Sequence, residues 1–330
     1  MPQLQTLLIL EQYDFVSAKQ LADIPLFSGH TPMLRNLSLG AYIPNPRVSV
    51  MLWERLLSLH IDYRITPNDW ITILSFLSSL RYLELSTFPI LSDDIHMNMD
   101  RLWDIQGNPI LPFQEISLRS VSYNVRLFPY SLRLPELKIF RLQATLSTLD
   151  HELSDMIVYD IFSQIPQLAN ISTELTRVVI SRRPRGNMCC LTRICGYSRD
   201  SSYHLDIQIT LHAADTEGRV VTKLLALFPA LEELSLEGEF QASSVEIGTS
   251  MTLTTLDLSG GIIGWEAFNE TWLSVFFSYT TGFPLLGRVI LGSHQELYPV
   301  IMGYNRQDLE IRLTSSTSVS ASYPQVSAGF

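Results

Sequence analysis

The chain has 330 residues, 46% of them hydrophobic and 17% charged, with a net charge of -10. That much apolar material supplies a large core and excludes a chain disordered throughout. The acidic balance excludes broad contact with phosphate backbones or anionic membrane surfaces, so neither nucleic acid nor a membrane is expected as a partner.

A short unit, Pro-x-Leu-x-x-φ-x-φ with φ apolar, recurs from the N-terminus onward. It begins at Pro2 (PQLQTLLI), Pro32 (PMLRNLSL), Pro135 (PELKIFRL), Pro229 (PALEELSL) and Pro284 (PLLGRVIL). The same core without the proline begins at Leu56 (LLSLHI), Leu80 (LRYLEL), Phe113 (FQEISL), Leu175 (LTRVVI) and Leu253 (LTTLDL). The first apolar residues therefore fall at 4, 34, 56, 80, 113, 137, 175, 231, 253 and 286. The gap between 175 and 231 has room for one more unit, and HLDIQITL around Leu205 alternates strictly enough to supply it.

The pattern has a physical reason. Its last two apolar residues lie two apart, which is strand periodicity with both side chains on one buried face. The preceding proline cannot continue a helix and favours extended backbone. Between the strands come segments with helical stripes. ITPNDWITILSFLSSL has Thr66 as a candidate cap and Pro67 at the first helical position, then Trp70, Ile73, Leu74 and Leu77 on one face. HELSDMIVYDIFSQ, EGRVVTKLLALF and GWEAFNETWLSVFF show comparable stripes. Strand and helix alternating at the period of leucine-rich repeats predict an α/β leucine-rich-repeat solenoid. Its parallel strands line a concave face, with helices and loops on the convex side. A doubly wound α/β sheet is the structural rival. The solenoid is expected to cover residues 1–313, with an irregular insert at about 181–204 and a disordered Ser/Thr-rich tail over 314–330. PQLANIS at Pro166 and LTRVVI at Leu175 compete for one repeat position.

Little in the chain suggests chemistry of its own. SGGIIG, from Ser259 to Gly264, matches two of the three glycines of a dinucleotide loop but is expected to be a tight turn. Cys189, Cys190 and Cys195 with His204 lack a C-x-x-C pair, so no zinc site and no cofactor is expected. Three crowded cysteines suit a reducing compartment. No secretory signal is visible in MPQLQTLLILEQYDF, and the expected location is cytoplasmic or nuclear. No nucleophile elbow, Walker loop or H-E-x-x-H occurs.

The outward positions of the strands are the candidate surface. His60, Asp62, Tyr82, Glu84, Arg119, Arg141, Arg177, Glu233, Glu237 and Asp257 are the expected partner-binding residues, with Tyr82 and the three arginines as anchors. Arg177, Arg182, Arg183, Arg185, Arg193 and Arg199 follow one another with no acid among them. Such a run fits either a solvated loop or a grip on an acidic partner segment.

The stretch WERLLSLHIDYRITPNDWITILSFLSSLRYLEL, with PALEELSLEGEF and TLTTLDLSGG, resembles the repeat region of fungal F-box/leucine-rich-repeat proteins. In that family an F-box binds the adaptor of a cullin-type ubiquitin ligase and the repeats present the substrate. The resemblance implies a protein-interaction module, the substrate-recognition arm of such a ligase. The partner would be a protein on the concave face and, where an F-box precedes the chain, a cullin-ligase adaptor as well. No F-box is visible in the chain itself, and Met1 falls three residues before a repeat strand. The alternatives are a stand-alone binding scaffold and, third, an enzyme whose site the sequence does not reveal. Tyr42, Arg64, Phe88 and Glu239 stand where extracellular and ribonuclease-inhibitor-like repeats carry Asn, which disfavours both.

Overall fold

A computed structural model describes residues 4–9, 33–40, 53–62, 67–86, 110–122, 133–146, 162, 167–184, 189–212, 227–239, 252–260, 262–263, 283–292, 297–302 and 308–313. The predicted units become short strands: β1 (Thr6–Ile9), β2 (Asn36–Leu39), β3 (Ser58–Ile61) and β4 (Tyr82–Leu85). Next come β5 (Glu115–Ser122), β6 (Ile139–Leu146), β7 (Leu175–Pro184), β8 (Cys189–Ser198) and β9 (His204–His212). Then follow β10 (Glu233–Glu239), β11 (Thr255–Leu258), β12 (Ile262–Ile263), β13 (Arg288–Leu291) and β14 (Glu310–Leu313). The described helices are α1 (Pro67–Leu74), α2 (Gln167–Glu174) and α3 (Leu297–Met302). The fold is α/β, with one long and mostly parallel sheet in the order β1-β2-β3-β4-β5-β6-β9-β8-β7-β10-β11-β13-β14, and β12 pairs with β10.

Two leucines per strand make the core continuous. The register joins Leu37, Leu59, Leu83, Ile116, Phe140 and Leu205 in one row across six strands. Beyond β8 it resumes through Val178, Leu234, Leu256 and Val289. A second row contains Leu39, Ile61, Leu85, Leu118, Leu142 and Ile207. All of these side chains are buried, each worth about 1.5–3 kcal/mol of apolar burial. From α1 and the turn after it, Trp70, Ile73, Leu74 and Leu77 close over the rows as the helical stripe predicts, and Pro67 opens that helix. Thr66, the other three predicted return helices except Phe162, Leu227 and Phe228, and the tail from 314 lie outside the described residues.

The backbone repeats as faithfully as the side chains. The carbonyls of Gln5, Arg35, Leu57, Arg81, Gln114, Glu232 and Thr254 each accept two consecutive amides from the start of the next strand. Every one of these carbonyls belongs to the residue just after the first apolar position of its unit. That first position is itself tied back by three residues: Leu56 to Trp53, Leu80 to Leu77, Leu137 to Leu134, Leu231 to Phe228 and Leu286 to Phe283. The unit thus extends three residues upstream to a large buried side chain, a feature absent from the sequence motif above.

One stretch differs from its expectation. Within the expected insert at 181–204, the described residues 181–184 and 189–204 are strand and turn rather than irregular. They hold the end of β7 and all of β8, and they lead into β9. The chain passes over two places in the sheet to form β7, then returns antiparallel as β8 and again as β9 beside β6. Two reversals leave β7 and β9 pointing the same way, so β9 is parallel to β6 and β7 to β10, and the rows stay in phase. The expected unit at Leu205 is β9. The competition at 166–180 is settled by helix for 167–174 and strand from Leu175. Gly196 occupies the place of a leucine in the first row because Leu175 fills the space. A Cβ there would lie 2.5 Å from the Leu175 Cδ1.

Candidate functional site

The ten residues expected to bind a partner all sit at outward positions of the sheet or just past a strand end, and they fall into two groups. His60, Asp62, Tyr82, Glu84, Arg119 and Arg141 span β3 to β6, where His60 is the register partner of Glu84. Arg177, Glu233, Glu237 and Asp257 span β7, β10 and β11. β9 and β8 lie between the groups.

Most of these residues already have partners within the chain. Arg119 pairs with Glu84 and Arg141 with Glu115, each across one strand boundary. Arg177 Nε lies 3.1 Å from Glu233, and Arg183 lies 3.9 Å from Glu237. Arg199 holds Glu232 through two contacts of 2.6 and 2.8 Å. The arginine run therefore finds its acids on neighbouring strands rather than along the sequence. The described members, Arg177, Arg183, Arg193 and Arg199, are all paired within the chain and lie on or beside strands, which corrects the expectation of a loop. Arg182 and Arg185 lie outside the described side chains. Asp257 is also engaged, accepting the Ser259 amide at 2.8 Å in the turn that begins SGGIIG. That turn leads into β12 rather than directly into a helix.

Three expected residues keep more freedom. Tyr82 is 46% exposed. Asp62 is exposed just past β3, its amide bonded to Leu39. His60 is half-buried, with Nδ1 3.3 Å from Ser38 Oγ and Nε2 buried without a partner among the described residues.

The centre of the face is not visible in the sequence, because β8 carries no hydrophobic alternation of its own. Arg193 donates twice to Asp206, at 2.9 and 2.7 Å, and the Cys195 thiol donates to the same carboxylate at 3.4 Å. Burial pushes Asp206 up, but the Arg193 bonds and charge hold it below the usual carboxylate range. Burial, with Asp206 beside it, pushes the Cys195 thiol up to about 12. A thiol so held stays protonated and is a poor nucleophile. Next to this pair the rings of Tyr197 and His204 stack, with centroids 4.8 Å apart and planes at 11°. The β8–β9 hairpin is closed by Asp200, which accepts from Ser198 Oγ, Ser202 N and Ser202 Oγ and is thereby held at about 2. The polar cluster SRDSS between a Tyr/Ile/Thr/Cys-rich run and strict alternation was the available sequence signal for this hairpin.

Among the described residues no group of three or more histidine, cysteine or acidic side chains is placed to hold a metal ion, and no helix is long and apolar enough to cross a membrane. The arrangement suits recognition: a polar face of fixed hydrogen-bonding groups, charges balanced strand by strand, with a half-buried aromatic pair near the middle of the sheet. No family model, curated protein or solved structure matches this chain.

Proposed function

We propose that the chain is a leucine-rich-repeat solenoid whose polar sheet face recognises another protein. We further propose that it serves as the substrate-recognition arm of an F-box-type ubiquitin ligase. The observation that carries the first reading is the coincidence of two periods. The Leu-x-x-φ-x-φ spacing of the sequence and the doubled acceptance by one carbonyl per unit mark the same residues. Units of that kind stack by burying their leucines and leave the alternate side chains outward, which is how solenoids build extended binding surfaces. The ligase role rests on the resemblance of residues 53–85 to fungal F-box/leucine-rich-repeat proteins. A stand-alone binding scaffold is the second reading.

A photo-crosslinking residue placed at Tyr82, and separately at the exposed Ser75 of the turn after α1, tests the surface. A partner captured through position 82 and not 75 is expected, and Tyr82→Ala should weaken its measured affinity about tenfold, as truncating an interface anchor does. Equal capture at both positions, or an unchanged affinity, would remove the case for this face. Ubiquitination of the captured partner by a reconstituted cullin ligase, dependent on this chain, separates the ligase arm from the scaffold.

A further inference from the structure

His204 lies where the strand order inverts. Its register partners are Ile139 on β6 and Tyr197 on β8, so it spans the seam between the first run of parallel strands and the reversed strands. Its amide is bonded to the Lys138 carbonyl at 2.9 Å. Its ring is stacked on Tyr197 and its Nε2 is buried with no hydrogen-bond partner among the described residues. A neutral ring with its proton on Nδ1 leaves only a lone pair at Nε2. A second proton would place both a charge and an N–H where no acceptor stands, at the cost of an unmade bond.

We propose that His204 is a pH-sensitive latch on the β6–β9–β8 seam, holding β9 in place while neutral and loosening it from both neighbours when protonated. The charges around it favour this direction. β6 brings Arg141, partly neutralised by Glu115 of β5, and just before it stands the exposed Lys138. β8 brings Tyr197, Cys195 and Arg193, the last bound to Asp206 on β9 itself. Beyond Tyr197, β7 brings Arg177, which is bound to Glu233. α2 also packs against β9, and its single ionisable residue is the exposed Glu174. Asp206 is the one anion on the same strand, and its charge is committed to Arg193. Burial first, and the Arg141 charge second, hold the His204 imidazolium below its ordinary range, against the pull of Asp206. With the folded value below 6.5, the unfolded chain takes up the proton first. The latch is therefore fully closed above pH 6.5 and weakens as the pH falls from there toward the folded value.

The test uses the full chain. Urea midpoints are measured from pH 7.5 to 5.5 for the protein and for His204→Leu. Carbon-labelled histidines are titrated by NMR in the unsubstituted protein, with the His204 signal assigned by its loss in the variant. The expected result is a midpoint that falls with pH in the parent, a flatter profile in His204→Leu, and a His204 resonance that titrates below 6.5. Hydrogen exchange across residues 204–212, corrected for intrinsic rate, should rise at low pH before that of β2 to β4. A His204 that titrates at or above 6.5, or a seam that exchanges no faster than β2 to β4, overturns the proposal. If His204→Leu does not fold, His204→Gln assigns the resonance, and the exchange reading on the unsubstituted protein decides the proposal by itself.

Discussion

The bond between Arg193 and Asp206 tests the topology more sharply than any other contact. It exists only if residues 189–198 form a strand beside β9; an irregular insert would leave Arg193 in solvent with no fixed partner. The guanidinium meets the carboxylate with two bonds, at 2.9 and 2.7 Å, and the side chains are 36% and 18% exposed. An exposed pair contributes about 0.2–1 kcal/mol, while breaking a buried one costs about 3–5 kcal/mol. This pair lies between, and screening at the partly exposed Arg193 brings it toward the lower bound. A double-mutant cycle with Arg193→Met, Asp206→Asn and the double variant, read by urea unfolding at pH 7, should give a coupling of about 1–2 kcal/mol. Arg193→Met alone should be the worst of the three, because it strands a carboxylate beside Cys195. Asp206 has its folded value below 3.8, so the coupling is complete well above that pH and vanishes as the pH falls through the folded value. A coupling under about 0.3 kcal/mol at pH 7 would refute the β8–β9 pairing.

Two further outcomes follow from the rows and the buried thiol. Leu83→Asp puts a carboxylate between Leu59 and Ile116 at a position 1% exposed; a loss above about 4 kcal/mol is expected, and unchanged circular dichroism and melting would contradict the register. With Cys189 and Cys190 replaced by serine, Cys195 should react with a thiol reagent only as fast as the protein opens, since it is buried and pushed up to about 12. Rapid labelling under native conditions would show that the centre of the face is open.

The parts of this fold legible in the sequence are those where apolar side chains alone set the period. Leu83, Leu85, Leu234 and Leu236 announce their strands because two aliphatic side chains stand two apart on the inward face. β8 hides because its inward positions are Thr192, Ile194, Gly196 and Ser198. Leu175 supplies the bulk that Gly196 lacks, and a strand whose core is filled from elsewhere shows no hydrophobic alternation of its own. The doubled carbonyl acceptance is equally invisible, since it is made by backbone atoms of residues as different as Gln5, Leu57 and Glu232. The polar face was legible as a list of outward residues, and its internal pairing was not. Arg177 finds Glu233 across 56 positions of sequence, and only the inverted strand order makes them neighbours.

That pairing changes what the face offers a partner. Free arginines on an acidic protein would draw in phosphate or carboxylate groups and give binding that weakens steeply with salt. Here Arg119, Arg141, Arg177, Arg183 and Arg193 are each neutralised by a carboxylate on the same or an adjacent strand. An acidic segment docking on them would have to displace a tethered anion, and its gain would be a difference between two similar bonds. On the proposed reading, recognition then rests on shape and on aromatic surface, above all the exposed ring of Tyr82 and the edge of the Tyr197–His204 stack. Affinity for a purified partner should therefore fall by less than about threefold between roughly 50 and 200 mM salt, and Glu84→Gln should weaken binding only as far as it frees Arg119. A steep salt dependence would mean that the pairs open on binding, and that the arginines, not the rings, make the contact.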